Sequence, residues 1–152
     1  MKKMLIILIL ILFFISAWCY TQNEETKSDT RQNLNEPKNS FSTVNPWKFK
    51  QLAINWNYEI IDIRSKQELH KTWIIPNSIN IDFYWQNFIE KLNQLDKEKD
   101  YLIYCRTWNR TGETLKIMKD MWFKNAHHLW WWITNWIAQN YEVISCKGTD
   151  IC

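Results

Sequence analysis

The chain has 152 residues, enough for one domain of ordinary size with its own hydrophobic core. A formal charge of +3, from 19 basic and 16 acidic side chains, is too mild for a protein that works by gripping a nucleic-acid backbone, and 4 unevenly placed cysteines are too few for a disulfide scaffold or a four-thiolate zinc site. Glycine and tryptophan both depart from ordinary usage: there are 2 glycines and 11 tryptophans, where average composition gives about 10 or 11 glycines in a chain this long.

The N-terminus reads Met1-Lys2-Lys3, then an apolar run from Met4 to Ile15, then Ser16-Ala17-Trp18-Cys19. A basic start, a short apolar core and small residues before a cut site make an export signal. The run falls short of the about 20 residues that a membrane-spanning helix needs. With glycine in place of Trp18 the segment resembles a bacterial lipoprotein signal, which would make Cys19 the lipid-carrying N-terminus; it departs from that pattern in Ser16, where Leu is usual. A plain uncleaved anchor is the alternative. Removing Lys2 and Lys3 with the leader leaves the rest of the chain close to neutral. Residues 20–43 are polar, with no periodic apolar face, and are expected to form a flexible tether. The expected organisation is a leader over 1–19, a linker over 20–43, a folded domain over 44–145 and a tail over 146–152, exported and anchored at the cell envelope.

From Asn45 onward short apolar runs alternate with helical stretches. Asn45-Pro46 opens a helix running to Ile54, with Pro at its first position. Residues 59–63 read as a buried strand, followed by a short helix over 66–71. Residues 78–81 form a second strand and 83–95 a helix with Phe88, Ile89, Leu92 and Leu95 facing inward. Residues 101–104 are a third strand, 111–121 a helix, 126–129 a strand and 133–140 a closing helix. Strands alternating with helices predict an α/β fold: a small parallel sheet with helices on both faces. His127 and His128 show no metal-ligand pattern and are expected at a strand end or in the core.

In such sheets ligands bind beyond the carboxyl ends of the strands, where loops pass into helix N-termini. Cys105-Arg106-Thr107-Trp108-Asn109-Arg110-Thr111 takes that position, with the cysteine directly after an apolar strand. Backbone N–H groups of such a loop and the positive end of its helix cradle an anion, and two arginines add planar donors. A thiol in that field is expected to have a lowered pKa and to be a good nucleophile. The arrangement suits a cysteine that attacks a group and then carries a negatively charged adduct.

These segments resemble the rhodanese-like family of sulfurtransferases in its small single-domain form. The likeness rests on Ile61-Asp62-Ile63-Arg64 with Glu68, on Ile75-Pro76-Asn77-Ser78-Ile79-Asn80-Ile81, on the loop from Tyr104 to Thr111, and on Trp131-Trp132-Ile133 with Trp136. The resemblance implies that Cys105 takes a sulfane sulfur from thiosulfate or a similar small anionic donor as a persulfide and passes it to a thiol or cyanide-like acceptor. It implies that the amides of Arg106, Thr107, Trp108, Asn109 and Arg110 hold the donor, that Arg106 and Arg110 attract it, and that Asp62, Arg64 and Glu68 brace the loop. No cofactor, metal or nucleic acid enters this reading, the membrane is met only through the N-terminal anchor, and the protein is expected to be a monomer. Four residues separate Cys105 from Arg110, as in the sulfur-handling members; phosphatase and arsenate reductase relatives have a longer loop. The alternative from another class is a non-catalytic binding or redox-sensing rhodanese-like module on the envelope. Cys146 and Cys152 lie beyond the matching segments, and a disulfide, a persulfide-resolving role and inert thiols all remain open for them.

The resemblance also bears on the tryptophans. The family places glycine at the positions of Trp73, Trp108, Trp122, Trp131 and Trp132, whereas at Trp136 it often has tryptophan. The chain is rich in Ile, Lys and Asn, whose codons suit an A+T-rich genome, and the standard tryptophan codon does not. Both observations have one explanation: some tryptophan letters are UGA codons read as glycine in the organism. Trp18 before Cys19 and Trp56 between Asn55 and Asn57 fit as glycines too, while Trp47 and Trp85 are undecided. Taken literally, Trp108 would crowd the anion cradle.

Overall fold

A computed structural model describes residues 39–54 and 57–147. The leader with Trp18 and Cys19, most of the linker, Trp56 and Cys152 lie outside the described residues.

Five parallel strands make the main sheet: β1 (Phe41–Val44), β2 (Tyr58–Asp62), β4 (Ser78–Asn80), β5 (Asp100–Tyr104) and β6 (Asn125–Leu129), in the order β1-β6-β5-β2-β4. A two-residue strand, β3 (Trp73–Ile74), pairs antiparallel with β7 (Ile144–Ser145). The helices are α1 (Pro46–Ala53), α2 (Lys66–Leu69), α3 (Phe88–Asn93), α4 (Trp108–Asp120) and α5 (Trp132–Ala138). This is the α/β fold expected, with the parallel sheet flanked by helices.

Side chains alternate across a strand, so each central strand feeds two cores. Tyr58, Ile60, Leu102 and Tyr104 pack with Phe49 and Leu52 of α1 and Ile133 and Trp136 of α5. The residues between them, Ile61, Tyr101, Ile103 and Cys105, pack with Phe88 and Leu92 of α3 and Met118 of α4. Burial on both faces is why these strands read as unbroken apolar runs.

Local signals account for the helix starts. Asn45 caps α1 by accepting from the Lys48 N–H at 2.8 Å, with Pro46 at the first position. Ser65 and Glu68 form a reciprocal capping box on α2.

Three boundaries differ from expectation. Residues 41–43, assigned to the linker, belong to β1: Phe41 to Val44 run beside Ala126 to Leu129. A four-residue edge strand carrying Ser42 and Thr43 has little apolar pattern of its own; its hydroxyls meet His127 and His128. The helix expected from residue 83 begins at Phe88, because Asp82 to Gln86 form turns instead, with the Asp82 carboxylate accepting from the Tyr84 N–H at 2.9 Å. The helix after the cysteine begins at Trp108 rather than Thr111, so its first turn is part of the loop.

Candidate active site

β5 ends at Tyr104 and Cys105 continues its alternation, which points the cysteine into the core shared with α3 and α4. Only 2% of Cys105 is exposed. Arg106, Thr107, Trp108 and Asn109 are exposed beside it, and Arg110 is buried again. Thr107 occupies the N-cap of α4 in extended conformation, but its side chain makes no capping bond. The backbone N–H groups of Arg106 and Thr107 instead bond to Cys105.

The arginines have different duties. Arg110 is held by Glu68 in a two-bond fork, Nη1 to Oε2 at 2.7 Å and Nη2 to Oε1 at 2.9 Å, and its Nε meets the Thr107 hydroxyl at 3.3 Å. Its guanidinium also lies 5.2 Å from the centre of the Tyr84 ring. Arg110 thus acts as a fixed charge under the loop, and Arg106 is the exposed one. Glu68 in turn is oriented by the Ser65 N–H at 3.0 Å. Its carboxyl is held at about 2, mainly by the hydrogen bond from Arg110.

Asp62 and Arg64 form a second fork at the end of β2. Arg64 Nε reaches both carboxylate oxygens at 2.9 and 3.0 Å, and Nη2 reaches Oδ2 at 2.5 Å. The remaining guanidinium donors go to the Thr72 hydroxyl at 2.7 Å and the Trp73 carbonyl at 3.0 Å. Both side chains are buried. The structure brings Glu68 onto the loop directly, whereas Asp62 and Arg64 fix the strand end and the β3 segment, with the Arg64 guanidinium 5.4 Å from the centre of the Tyr104 ring.

The environment of the cysteine corrects one expectation. Burial pushes the Cys105 thiol up rather than down. The amide of Thr107, the charge of Arg110 and the amide of Arg106 pull the other way without overcoming it. The anion-stabilising groups foreseen in the sequence are present; the desolvation that comes with ending a central strand was not foreseen.

Sequence reasoning passed over three supporting residues. Tyr84 covers Arg110. His128 places its Nδ1 2.6 Å from the Thr111 hydroxyl and so ties β6 to the first turn of α4; burial pushes its pKa down. Tyr104 accepts from the Ile75 N–H at 3.1 Å and meets the Ser78 hydroxyl at 3.1 Å. Only the Ser65-to-Glu68 capping box left a readable trace in the sequence. The α5 segment also touches the site, since the Ile133 N–H donates to the Cys105 carbonyl at 3.3 Å. Cys105 is a free thiol, and Cys146 is disulfide-bonded to a partner outside the described residues.

The model of the rhodanese-like domain matches residues 45–139. The chain belongs to the rhodanese-like domain family. Among solved structures, a rhodanese-related protein from Thermoplasma volcanium is 24% identical, with 68% of this chain and 97% of that one covered at a TM-score of 0.59. The polysulfide-sulfur transferase homodimer of Wolinella succinogenes is 19% identical, covering 72% and 82% at 0.59. A Rhodopseudomonas palustris protein of unknown function, described as a possible tyrosine phosphatase, is 18% identical, covering 68% and 85% at 0.59. At these identities the structures establish the fold. No curated protein is significantly similar to the chain.

Proposed function

We propose that this rhodanese-like domain is a sulfurtransferase that carries a sulfane sulfur on Cys105. The observation that supports it most is the pairing of a free thiol with a short loop whose arginine, with four residues between it and the cysteine, is locked under it by Glu68. The Cys105 thiolate attacks the outer sulfur of thiosulfate or a similar donor. A new S–S bond forms, the donor's own S–S bond breaks, and its electron pair leaves with sulfite. The outer sulfur of the resulting persulfide lies one atom beyond Sγ, out toward the amides of Arg106 and Thr107 and the charge of Arg110, which offset its negative charge. A thiol or cyanide-like acceptor then takes that sulfur and restores the thiolate. Arg106, exposed at the rim, attracts the anionic donor. We place the reaction at the cell envelope, on the strength of the leader sequence ending in Cys19.

A non-catalytic module draws support from the burial of Cys105 and its raised thiol pKa. Incubation with thiosulfate separates the two readings. The expected result is a mass gain of one sulfur on the Cys105 peptide and steady thiocyanate production from cyanide. Cys105→Ser should keep the fold and lose both, with a rate drop of about 10³-fold or more. Unchanged turnover in that variant would sink the assignment. Hydrolysis of a generic phosphoester through Cys105 would move it to phosphoryl chemistry.

A further inference from the structure

Among the described residues, the non-glycine positions with φ in the left-handed region are of two kinds. Asn39, Asn77 and Asn140 are asparagines, the residue type that tolerates this conformation best after glycine. Trp122, Trp131 and Trp132, at φ 68°, 67° and 68°, are not. A bulky side chain at such an angle is a genuine outlier, and here three of them share one residue type. Their positions are those where chains use glycine. Trp122 follows the end of α4, and Trp131 and Trp132 make the tight entry into α5. Meanwhile Gly112, the one described glycine, sits inside α4, where glycine has no conformational task.

Burial sets one tryptophan apart from the rest. Trp122 is 83% exposed, Trp108 64%, Trp131 60% and Trp132 41%, and Trp47, Trp73, Trp85 and Trp130 are exposed as well. Among the described tryptophans Trp136 alone is buried, at 4%. It packs edge-on against Phe49 and Tyr141, and its indole N–H donates to the Glu142 carbonyl at 2.9 Å. A domain that had acquired many real tryptophans would have buried more of these large apolar rings. The total of 2 glycines against 11 tryptophans points the same way.

We propose that positions 108, 122, 131 and 132 are glycine in the organism's own protein, encoded by UGA codons that it reads as glycine, and that 136 is tryptophan. The consequence for the site is direct and rests on the sulfurtransferase reading. Trp108, Trp130, Trp131 and Trp132 together wall an apolar hollow of about 280 Å³ beside the loop. With glycine at 108, 131 and 132 only Trp130 of that wall remains, and the loop beside it presents its backbone amides with the exposed Arg106, Thr107 and Asn109. Such a surface selects a small hydrophilic anion over an apolar donor.

The test is the mass of two tryptic peptides of the protein purified from its own organism, read beside the codons of its gene. The peptide spanning residues 125–147 holds positions 131 and 132 together with the internal control at 136; the peptide spanning residues 120–124 holds 122. Fragment masses of glycine at 122, 131 and 132 with tryptophan at 136, matched by UGA at the first three and UGG at the last, establish the assignment. Tryptophan masses at 122, 131 and 132 overturn it, whatever the enzyme assay shows. For position 108, the peptide beginning after Arg106 gives the same two outcomes. A recombinant chain with glycine at all four positions should transfer sulfur at least about tenfold faster than the four-tryptophan chain. Glycine masses with an inactive four-glycine chain leave the codon assignment standing and reject the sulfurtransferase reading.

Discussion

Glu68 shows how one carboxylate can fix the geometry of a loop it does not belong to. Its fork on Arg110 fixes a guanidinium that would otherwise sample many rotamers, and its own geometry is fixed by the Ser65 cap. Glu68→Gln should lower sulfur transfer about 10- to 100-fold, because the loop charge is no longer held in place. The same variant has a pH signature. The carboxyl sits at about 2 in the fold against an ordinary 4.5, so the stability it contributes is fully present above about 4.5 and is lost as pH falls toward 2. Urea midpoints at pH 6 and pH 3 should therefore fall further apart in the wild type than in Glu68→Gln. Equal drops would show that the fork contributes nothing to folding. Of these residues, Cys105 and Arg110 could be picked out in the sequence by type and position, and Glu68 only through the family resemblance. The rise in the Cys105 pKa could not, because it depends on how deeply the last residue of a strand is covered by helices far away in the chain.

Elements with strong periodic patterns were readable from the sequence, and weak ones were not. β2 and β5 are flanked by helices on both faces, so their apolar stretches stand out, and α1 carries an Asn-Pro start that fixes its first turn. β1, β3 and β7 are short and owe their existence to partners rather than to propensity. Tyr104 joins two of these levels. Its hydroxyl, deep in the core, accepts from the Ile75 N–H and meets Ser78, tying β5 to the segment that leads into β4. Tyr104→Phe leaves the Ile75 N–H buried without that partner, which costs about 1–3 kcal/mol. Chemical denaturation should show that loss with an unchanged slope; a midpoint equal to wild type would mean that another acceptor replaces the hydroxyl.

Across the whole molecule the conflict between residue type and backbone is confined to a few positions, and it has a measurable size. The two cores are consistent with the sheet at every central strand, as expected of a sequence selected for this fold. Trp122, Trp131 and Trp132 break that consistency, holding left-handed backbone with largely exposed indoles. An L side chain in this conformation costs roughly 1–2 kcal/mol. Glycine removes that cost but adds unfolded-state entropy worth about 0.5–1 kcal/mol, and exposed indoles surrender little packing when deleted. The balance favours glycine by about 0.5–1 kcal/mol per position. Because Trp131 and Trp132 are adjacent, their effects couple, and Trp122 lies on a different element and adds independently. The triple variant Trp122→Gly, Trp131→Gly, Trp132→Gly should gain about 1.5–3 kcal/mol, a rise in Tm of several degrees for a domain of this size. Trp136→Gly, tested beside it, should lose about 3–5 kcal/mol by opening a cavity between Phe49 and Tyr141. Opposite signs at the two classes of position are what the backbone demands. A triple variant less stable than the parent would mean that the indoles are true parts of this fold.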